Sequence, residues 1–349
     1  MRYILLLLSY IYNVITSFRN LLFDYKILSS KSYSIPIICI GNLELGGTGK
    51  TPHVQYIINL LKSKYKIAVL SRGYGRKSST IKYVEINDNV DLVGDEPLQI
   101  KKNNPSCLVV VEKNRNKGIK NILENHREIE VIILDDGFQH RWVNAGLNII
   151  LTDFSNPYYT NHLFPYGTLR ENKKNSKRAD LIIFTRTPED TTHIQKKETI
   201  EKINLNSNQK FFFSEVKYGD WKCLNKNITF QERNNYNITL VTGIANSTHL
   251  TNHLMCTNKV HHVNFPDHHN YSLKDLNKIL FKFNNNNADK KIIVTTEKDA
   301  VKLSTYKNEL NNVNVYYICI DIKFNKKQKF DKEILDYVRK NKRICKISK

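Results

Sequence analysis

Residues 37–52 read Ile37-Ile38-Cys39-Ile40-Gly41-Asn42-Leu43-Glu44-Leu45-Gly46-Gly47-Thr48-Gly49-Lys50-Thr51-Pro52. An apolar, β-branched run leads into a glycine cluster, then into Gly49-Lys50-Thr51, then into a helical pattern. Few folds use that order. A strand delivers the loop, and glycines let the backbone curl until successive N–H groups converge on one anion. Lys50 brings a mobile charge to the outer phosphates of a nucleotide, and the Thr51 hydroxyl is placed to reach magnesium. Pro52 falls in the first turn of the following helix, where a missing N–H costs nothing. Val54, Ile57, Ile58 and Leu61 recur at helical spacing, so that helix has one apolar face and directs its positive end at the phosphates. The common pattern places a glycine five residues before Gly49, where this chain has Glu44. The flanking strand and helix therefore carry the reading, against the competing one of a glycine-rich turn ahead of an ordinary helix.

Short, continuous apolar runs at 66–70, 107–111, 131–134, 147–152 and 181–185 read as parallel strands covered on both faces. Ser71-Arg72-Gly73-Tyr74-Gly75-Arg76 follows the first of them, a basic loop suited to a phosphate or phosphosugar, or else a solvated turn. In Val93-Gly94-Asp95-Glu96-Pro97, Asp95 reads as a general base or magnesium ligand, or as the cap of the next helix. Asp135-Asp136-Gly137-Phe138-Gln139-His140-Arg141 puts two carboxylates at a strand end, where P-loop enzymes hold magnesium and where a cation would offset their repulsion. Phe164-Pro165-Tyr166-Gly167-Thr168-Leu169-Arg170-Glu171 offers Arg170 to phosphate charge or to solvent.

From 186 to 237 the pattern loosens, with one strand-like run at 211–216, and a second α/β block follows. Its strands are expected at 238–242, 292–295 and 315–320, with a helix capped near Ser247 and another at 273–283. His261-His262 and Asp267-His268-His269 favour proton handling over a metal site, because adjacent histidines seldom face one ion. Thr296-Glu297-Lys298-Asp299 directly follows a strand and reads as a helix cap.

The chain carries 54 Lys and Arg against 33 Asp and Glu, a formal net charge of +21. Either an anionic partner is implied, or a Lys- and Asn-rich composition is simply spread along the chain. A nucleic-acid-binding module is not recognisable, and the aromatics are not interleaved with basic runs. Six scattered cysteines, Cys39, Cys107, Cys223, Cys256, Cys319 and Cys345, form no C-x-x-C pair. They suggest neither a disulfide framework nor a zinc site, and fit a reducing cytoplasmic setting. Residues 1–23 are mostly apolar, with Ser9, Asn13, Thr16 and Asn20 recurring at helical spacing and Arg19 interrupting the run. An uninterrupted membrane span needs about 18 apolar residues, and a signal peptide needs a small-residue cleavage site. A helix lying in a membrane surface fits better, with a helix docked in a core as the alternative.

Together these motifs resemble the tetraacyldisaccharide 4'-kinase family, the lipid A 4'-kinases of Gram-negative bacteria. The resembling residues run in family order from about 36 to 302: Gly41-Asn42 with Gly46 to Pro52, Ser71 to Gly75, Gly94 to Pro97, Asp135 to His140, Phe164-Pro165 with Gly167 and Leu169 to Glu171, Phe265 with Asp267-His268, and Thr296 to Asp299. Glu44 in place of the first glycine is shared in kind by that family. The expected fold is α/β: a P-loop NTPase-like, mostly parallel sheet with helices on both faces, a second smaller α/β domain, and an N-terminal amphipathic helix. The expected boundaries are 1–30 for the interfacial helix, 31–190 for the kinase domain and 191–237 for a connection. The second domain then spans 238–325, and 326–349 is a basic C-terminal tail or helix with one short helical pattern.

The resemblance implies transfer of the ATP γ-phosphoryl group to the 4'-hydroxyl of an acylated glucosamine disaccharide 1-phosphate lipid. It implies a monomer on the cytoplasmic face of the inner membrane, with no nucleic-acid partner. Glu44, Leu45, Gly46, Gly47, Thr48, Gly49, Lys50 and Thr51 would cradle ATP, and Thr51, Asp135 and Asp136 would serve Mg2+. Asp95 would act as base, tuned by His268, with Lys50 on the transferred group. Asn42, Arg72, Glu96, Gln139, His140, Arg170 and Glu171 would line the acceptor site. Two further readings compete: a regulatory P-loop ATPase or GTPase without an acceptor, and a soluble sugar kinase. The absence of an N-K-x-D motif at a strand end counts against a GTPase.

Overall fold

The apolar runs become strands of one sheet, and the periodic segments become helices on its two faces. The structure is a computed structural model that describes residues 2–347 except 204, 205, 207, 227 and 231, with the backbone alone for 342–347. The Cys345 side chain and the last two residues of the expected tail lie outside the described part. In chain order come α1 (Arg2–Asp24), β1 (Ile37–Asn42), α2 (Lys50–Leu61), β2 (Ile67–Ser71), β3 (Lys82–Tyr83), α3 (Val90–Val93), α4 (Asp95–Asn103) and β4 (Leu108–Val111). They continue as α5 (Arg115–Asn125), β5 (Val131–Asp135), β6 (Leu147–Asp153), β7 (Leu181–Thr185), α6 (His193–Glu201), β8 (Lys210–Cys223) and β9 (Thr229–Phe230). The rest are β10 (Asn237–Thr242), α7 (Thr248–Met255), β11 (Lys259–Asn264), α8 (Leu273–Asn284), β12 (Lys291–Thr296), α9 (Glu297–Leu303), β13 (Val315–Phe324) and α10 (Lys327–Ile347).

The sheet order is β11-β10-β12-β13-β8-β7-β6-β1-β5-β2-β4-β3, with β9 paired to β8. Strands β4, β2, β5, β1, β6 and β7 are mutually parallel and buried, as the unbroken apolar runs require. The expected connection holds the longest strand. Phe211–Phe213 of β8 continue the first half in parallel beside β7, and from Ser214 onward β8 pairs antiparallel with β13. Because β12, β10 and β11 run parallel to β13, that reversal turns the C-terminal ends of the second half back toward those of the first. Ligand-binding loops of open α/β sheets lie at such strand ends, so the topology points two sets of them at one cleft.

Val54, Ile57, Ile58 and Leu61 of α2 are fully buried in the first-half core. The same cluster takes Phe330, Ile334 and Val338 of α10, so the expected basic tail or helix is a 21-residue helix that completes the first-half core. Its period was legible only as a short pattern because lysines and arginines crowd the solvent face.

Helix α1 is wetted the opposite way from a core helix. Its polar stripe faces the protein: the Ser9 hydroxyl donates to the Leu163 carbonyl at 2.9 Å, and Tyr12 donates to the Arg170 carbonyl at 2.7 Å. Asn20 donates to Glu171 at 3.1 Å. Tyr3, Ile4, Leu7, Tyr10, Ile15 and Phe18 are left exposed. The docked-core alternative is thereby excluded, since a helix buries its apolar face in a core.

Candidate active site at two facing strand edges

The phosphate loop curls as the glycines dictate. Gly46 (φ 105°) and Gly49 (φ 85°) take left-handed backbone that a side chain would strain. Gly49 is the N-cap of α2, whose first residues Lys50 and Thr51 are buried at its positive end. Lys50 Nζ lies 3.4 Å from Asn42 Oδ1 and 3.6 Å from Asp136. Arg170 donates to both carboxylate oxygens of Asp136, at 3.0 and 2.9 Å. Burial alone would raise the Asp136 pKa, but Lys50 and Arg170 outweigh it and lower it.

Asp135, adjacent in sequence, is treated differently. It accepts from Ser71 Oγ at 3.0 Å, while its Oδ1 has no hydrogen-bond partner among the described residues. Burial, followed by Glu96 and Asp136, pushes it up to about 7 against the pull of Lys50 and Ser71. Arg186, just past β7 in left-handed backbone (φ 53°), donates to Asp153 and to the Gly47 carbonyl, each at 2.6 Å. It clamps the phosphate loop from the side. Sequence reasoning missed it, although a cation at the end of an apolar strand was the available signal.

On the facing edge, Gly94 (φ 92°) passes close to Gly73 and Tyr74, and α4 then starts at Asp95. Asp95 Oδ1 accepts from the Glu96 amide at 2.9 Å, and Oδ2 meets His268 Nδ1 at 3.1 Å. Lys302 stands 3.5 Å from Oδ2 and Lys298 3.9 Å. Burial pushes Asp95 up, but the His268 hydrogen bond and the two lysines outweigh it and hold the carboxyl well below the usual range. Thr296, at the end of β12, caps α9 by accepting from the Asp299 amide at 3.1 Å, which sets Lys298 and Lys302 one turn apart on one face.

These edges border a cavity of about 630 Å³. Leu45, Gly46, Gly47, Gly49, Lys50, Thr51, Asp136 and Arg170 line one side, and Glu96, His268 and Lys298 the other. Its floor is the β8–β13 pair, through Val216, Tyr218, Ile318 and Ile320. Asp95 lies just behind His268, at 4% exposure. Several expected site residues stand apart from the cavity wall. Glu44 is buried and turned to Asn161, and burial pushes it up to about 7. Thr48 is buried with its hydroxyl unpaired among the described residues. Asn42 is wholly buried and props the loop through the Gly46 carbonyl. Arg72 is exposed at the end of β2. His140 is pushed down to about 4 by burial and by Arg115, Arg19 and Arg72.

Glu171 stands in a network of the protein's own donors. It is fully buried and takes donors from Arg178 at 2.6 Å, Asn175 at 2.8 Å, and Asn20 and Gln139 at 3.1 Å each. Three of those donors fall on Oε2 and only Gln139 on Oε1, and through Asn20 the carboxylate ties α1 to the body. Gln139 is likewise spent between Glu171 and the Asn42 carbonyl. Among the described residues no cluster of three His, Cys, Asp or Glu side chains forms a metal cage.

Comparison with known proteins bears on the same residues. The family model described as tetraacyldisaccharide-1-P 4'-kinase (LpxK) matches residues 1–339. A tetraacyldisaccharide 4'-kinase of Bacteroides thetaiotaomicron is 39% identical over 96% of this chain and 93% of its own length. One of Flavobacterium psychrophilum is 41% identical over 94% of each. The crystal structure of "apo" form LpxK from Aquifex aeolicus in complex with ATP superposes with a TM-score of 0.73 at 31% identity, covering 97% of this chain and 99% of that one.

Proposed function

The chain belongs to the tetraacyldisaccharide-1-P 4'-kinase family, as its ordered motifs implied, and from that premise we propose how its residues perform the reaction. It is an ATP-dependent kinase that phosphorylates the 4'-hydroxyl of a tetraacyldisaccharide 1-phosphate lipid. The lone pair of that hydroxyl oxygen forms the new O–P bond. The bond from the γ-phosphorus to its bridging oxygen breaks, and its electron pair leaves on ADP. The hydroxyl proton goes to the Asp95–His268 pair. Little else is covalent, so the protein contributes positioning and charge.

The loop from Leu45 to Thr51 holds the nucleotide phosphates with its amides and with Lys50. Arg170, two bonds from Asp136 in the free protein, is the arginine for the transferred group. Magnesium, when bound, supplies positive charge over those phosphates. Thr51 and Asp135 fit it better than Asp136 does, because Asp135 keeps an orphaned buried oxygen while Asp136 is already paired with Lys50 and Arg170. Of the proton-taking pair, His268 is the member that borders the cavity, and the carboxylate of Asp95 holds its Nδ1–H. That division of labour suits a carboxylate held below the usual range, which is a poor base, and leaves the imidazole at the cavity to take the proton. Glu96 and Arg72 remain the acceptor-side candidates, with His140 and Asn42 behind them.

The outward apolar face of α1 supports seating on the cytoplasmic face of the inner membrane, beside the lipid acceptor. The observation that carries the catalytic reading is that Lys50, Thr51, Arg170 and His268 border one cavity. Kinase assay of Lys50→Ala and Asp95→Ala on the lipid disaccharide tests it, with losses of orders of magnitude expected at unchanged fold. Near-normal turnover of either variant removes it. For the membrane seat, Leu7→Ser/Phe18→Ser in the full chain should lower partitioning to anionic vesicles without lowering thermal stability, and unchanged partitioning counts against it.

A further inference from the structure

Lys298 has the most crowded electrostatic surroundings in the cleft, and no step above uses it. Its Nζ lies 3.2 Å from His268 Nε2, 3.5 Å from Glu96 and 3.5 Å from Asp267. It also lies 3.9 Å from Asp95. Burial would loosen its proton, yet Glu96, Asp95, Asp267 and Asp299 outweigh that and hold it on more tightly than usual. The side chain is therefore an ammonium, with three donors and no acceptor. Facing it, His268 Nε2 must be the unprotonated nitrogen, and the ring proton sits on Nδ1, where it is given to Asp95. Lys298 thus fixes the productive tautomer and, by the same contact, covers the nitrogen that must take the hydroxyl proton.

We propose that Lys298 gates this site: parked on His268 and the acidic cluster in the empty cleft, its ammonium moves onto the terminal phosphate of the bound nucleotide and so uncovers His268 Nε2 as the acceptor of the sugar-hydroxyl proton. The bonds made and broken are those of the transfer already described. Only the position of one cation changes, from carboxylates to phosphate oxygens. The same move takes a positive charge off the His268 ring while Asp95 at 3.1 Å and Asp267 at 3.9 Å remain. The other groups packed on this cluster are the Tyr74 ring, centred 5.0 Å from the His268 ring, and Lys302 behind Asp95. Proton acceptance is thereby tied to the presence of a phosphate to transfer, which guards the site against idling.

This inference rests on the reading of the Asp95–His268 pair as the proton acceptor, and the test separates the two. Full-length Lys298→Met, close in shape and uncharged, is compared with Lys298→Arg and with Asp95→Asn. Lys298→Met should lose kcat on the order of 10²-fold, with KM for the lipid disaccharide within a few-fold. Its acid limb in kcat/KM should move to higher pH, and Lys298→Arg should restore part of kcat. In the wild type, the ¹⁵N resonance of His268 Nε2 should shift when a non-hydrolysable ATP analogue and magnesium are added, whereas in Lys298→Met the free protein should already show the shifted resonance. A nucleotide-insensitive His268 resonance in the wild type overturns the gate, and so does an unmoved acid limb in Lys298→Met. If Asp95→Asn keeps normal turnover, the base reading itself has failed and the gate falls with it. If Asp95→Asn is inactive and Lys298→Met is normal, the gate alone is wrong.

Discussion

Asp135 at the end of β5 and Asp95 at the start of α4 are almost equally inaccessible, yet the first is pushed up to about 7 and the second is held below the ordinary carboxylate range. The difference lies in what each wall brings with it. On the phosphate-loop wall Lys50 and Arg170 are spent on Asp136, and burial with the like charges of Glu96 and Asp136 outweighs the pull of Lys50 and the Ser71 hydrogen bond on Asp135. On the facing wall α9 supplies Lys298 and Lys302, and His268 closes the set. Desolvation sets the same cost on both sides, and local cations decide the sign. On the reading proposed above, one wall is completed by the magnesium ion that arrives with the nucleotide. The other is assembled before anything binds.

The largest effect should come from breaking the assembled wall. Asp95→Asn leaves His268 without the anion that holds its Nδ1–H, and kcat should fall by roughly 10²–10⁴-fold at little change in nucleotide affinity, read by steady-state kinetics on the lipid disaccharide. Next comes the incomplete wall. Asp135→Asn should lose on the order of 10²-fold in turnover, a few kcal/mol of magnesium-borne stabilisation. It should also abolish the extra rise in melting temperature that magnesium gives over ATP alone. If magnesium still raises that temperature in Asp135→Asn, the ion is held elsewhere and the contrast between the walls loses its meaning.

A smaller effect is expected from the clamp on the loop. Arg186→Met frees the Gly47 carbonyl and Asp153 from a guanidinium bonded to both at 2.6 Å. The loop must then be ordered by the nucleotide itself, so KM for ATP should rise several-fold while kcat changes less. A matched fall in kcat alone would instead make Arg186 part of the transfer chemistry and give the first wall a third working cation.

The first wall was far more legible in the sequence than the second. A phosphate loop is local: Gly46, Gly49, Lys50 and Thr51 stand within six residues, and strand, loop and helix are contiguous. Asp135 was legible because a carboxylate ending an apolar run is itself a signal. The second wall draws Asp95, His268 and Lys298 from segments about 170 and 30 residues apart, and only the reversal at β8 and β13 brings them together. Asp95 with His268 came from the family resemblance rather than from spacing. Lys298 was visible only as part of a helix cap, because which way a capped helix aims its lysines depends on the strand that launches it. Glu171 shows the converse. A conspicuous acid beside an arginine reads like a site, and nothing local reveals that Arg178, Asn175, Gln139 and a residue of α1 have already claimed its oxygens.

The finest test of the contrast is the pH dependence of stability without ligand, read as differences between variants. Glu44, buried beside the phosphate loop and behind the first wall, is pushed up to about 7 by burial, with Asn161 opposing and Asp153 adding. Between about pH 4.5 and 7 the folded protein therefore keeps a proton that the unfolded chain releases, so stability from this group falls as pH rises through that window. Glu44→Gln should remove that fall and raise the melting temperature at pH 7 by on the order of 1–3 °C, with no gain at pH 4.5. Asp95 has the opposite sign. Its folded form gives up its proton more readily than the unfolded chain, so its contribution is present above about pH 4 and is lost as pH falls below it, a loss that Asp95→Asn should abolish. His53 and His140, both pushed down to about 4, also favour the folded state at higher pH, which is why single curves mislead and variant differences do not. If Glu44→Gln and Asp95→Asn shift the curve in the same pH window and the same direction, the two walls do not differ in kind, and the cations of α9 are not what separates them.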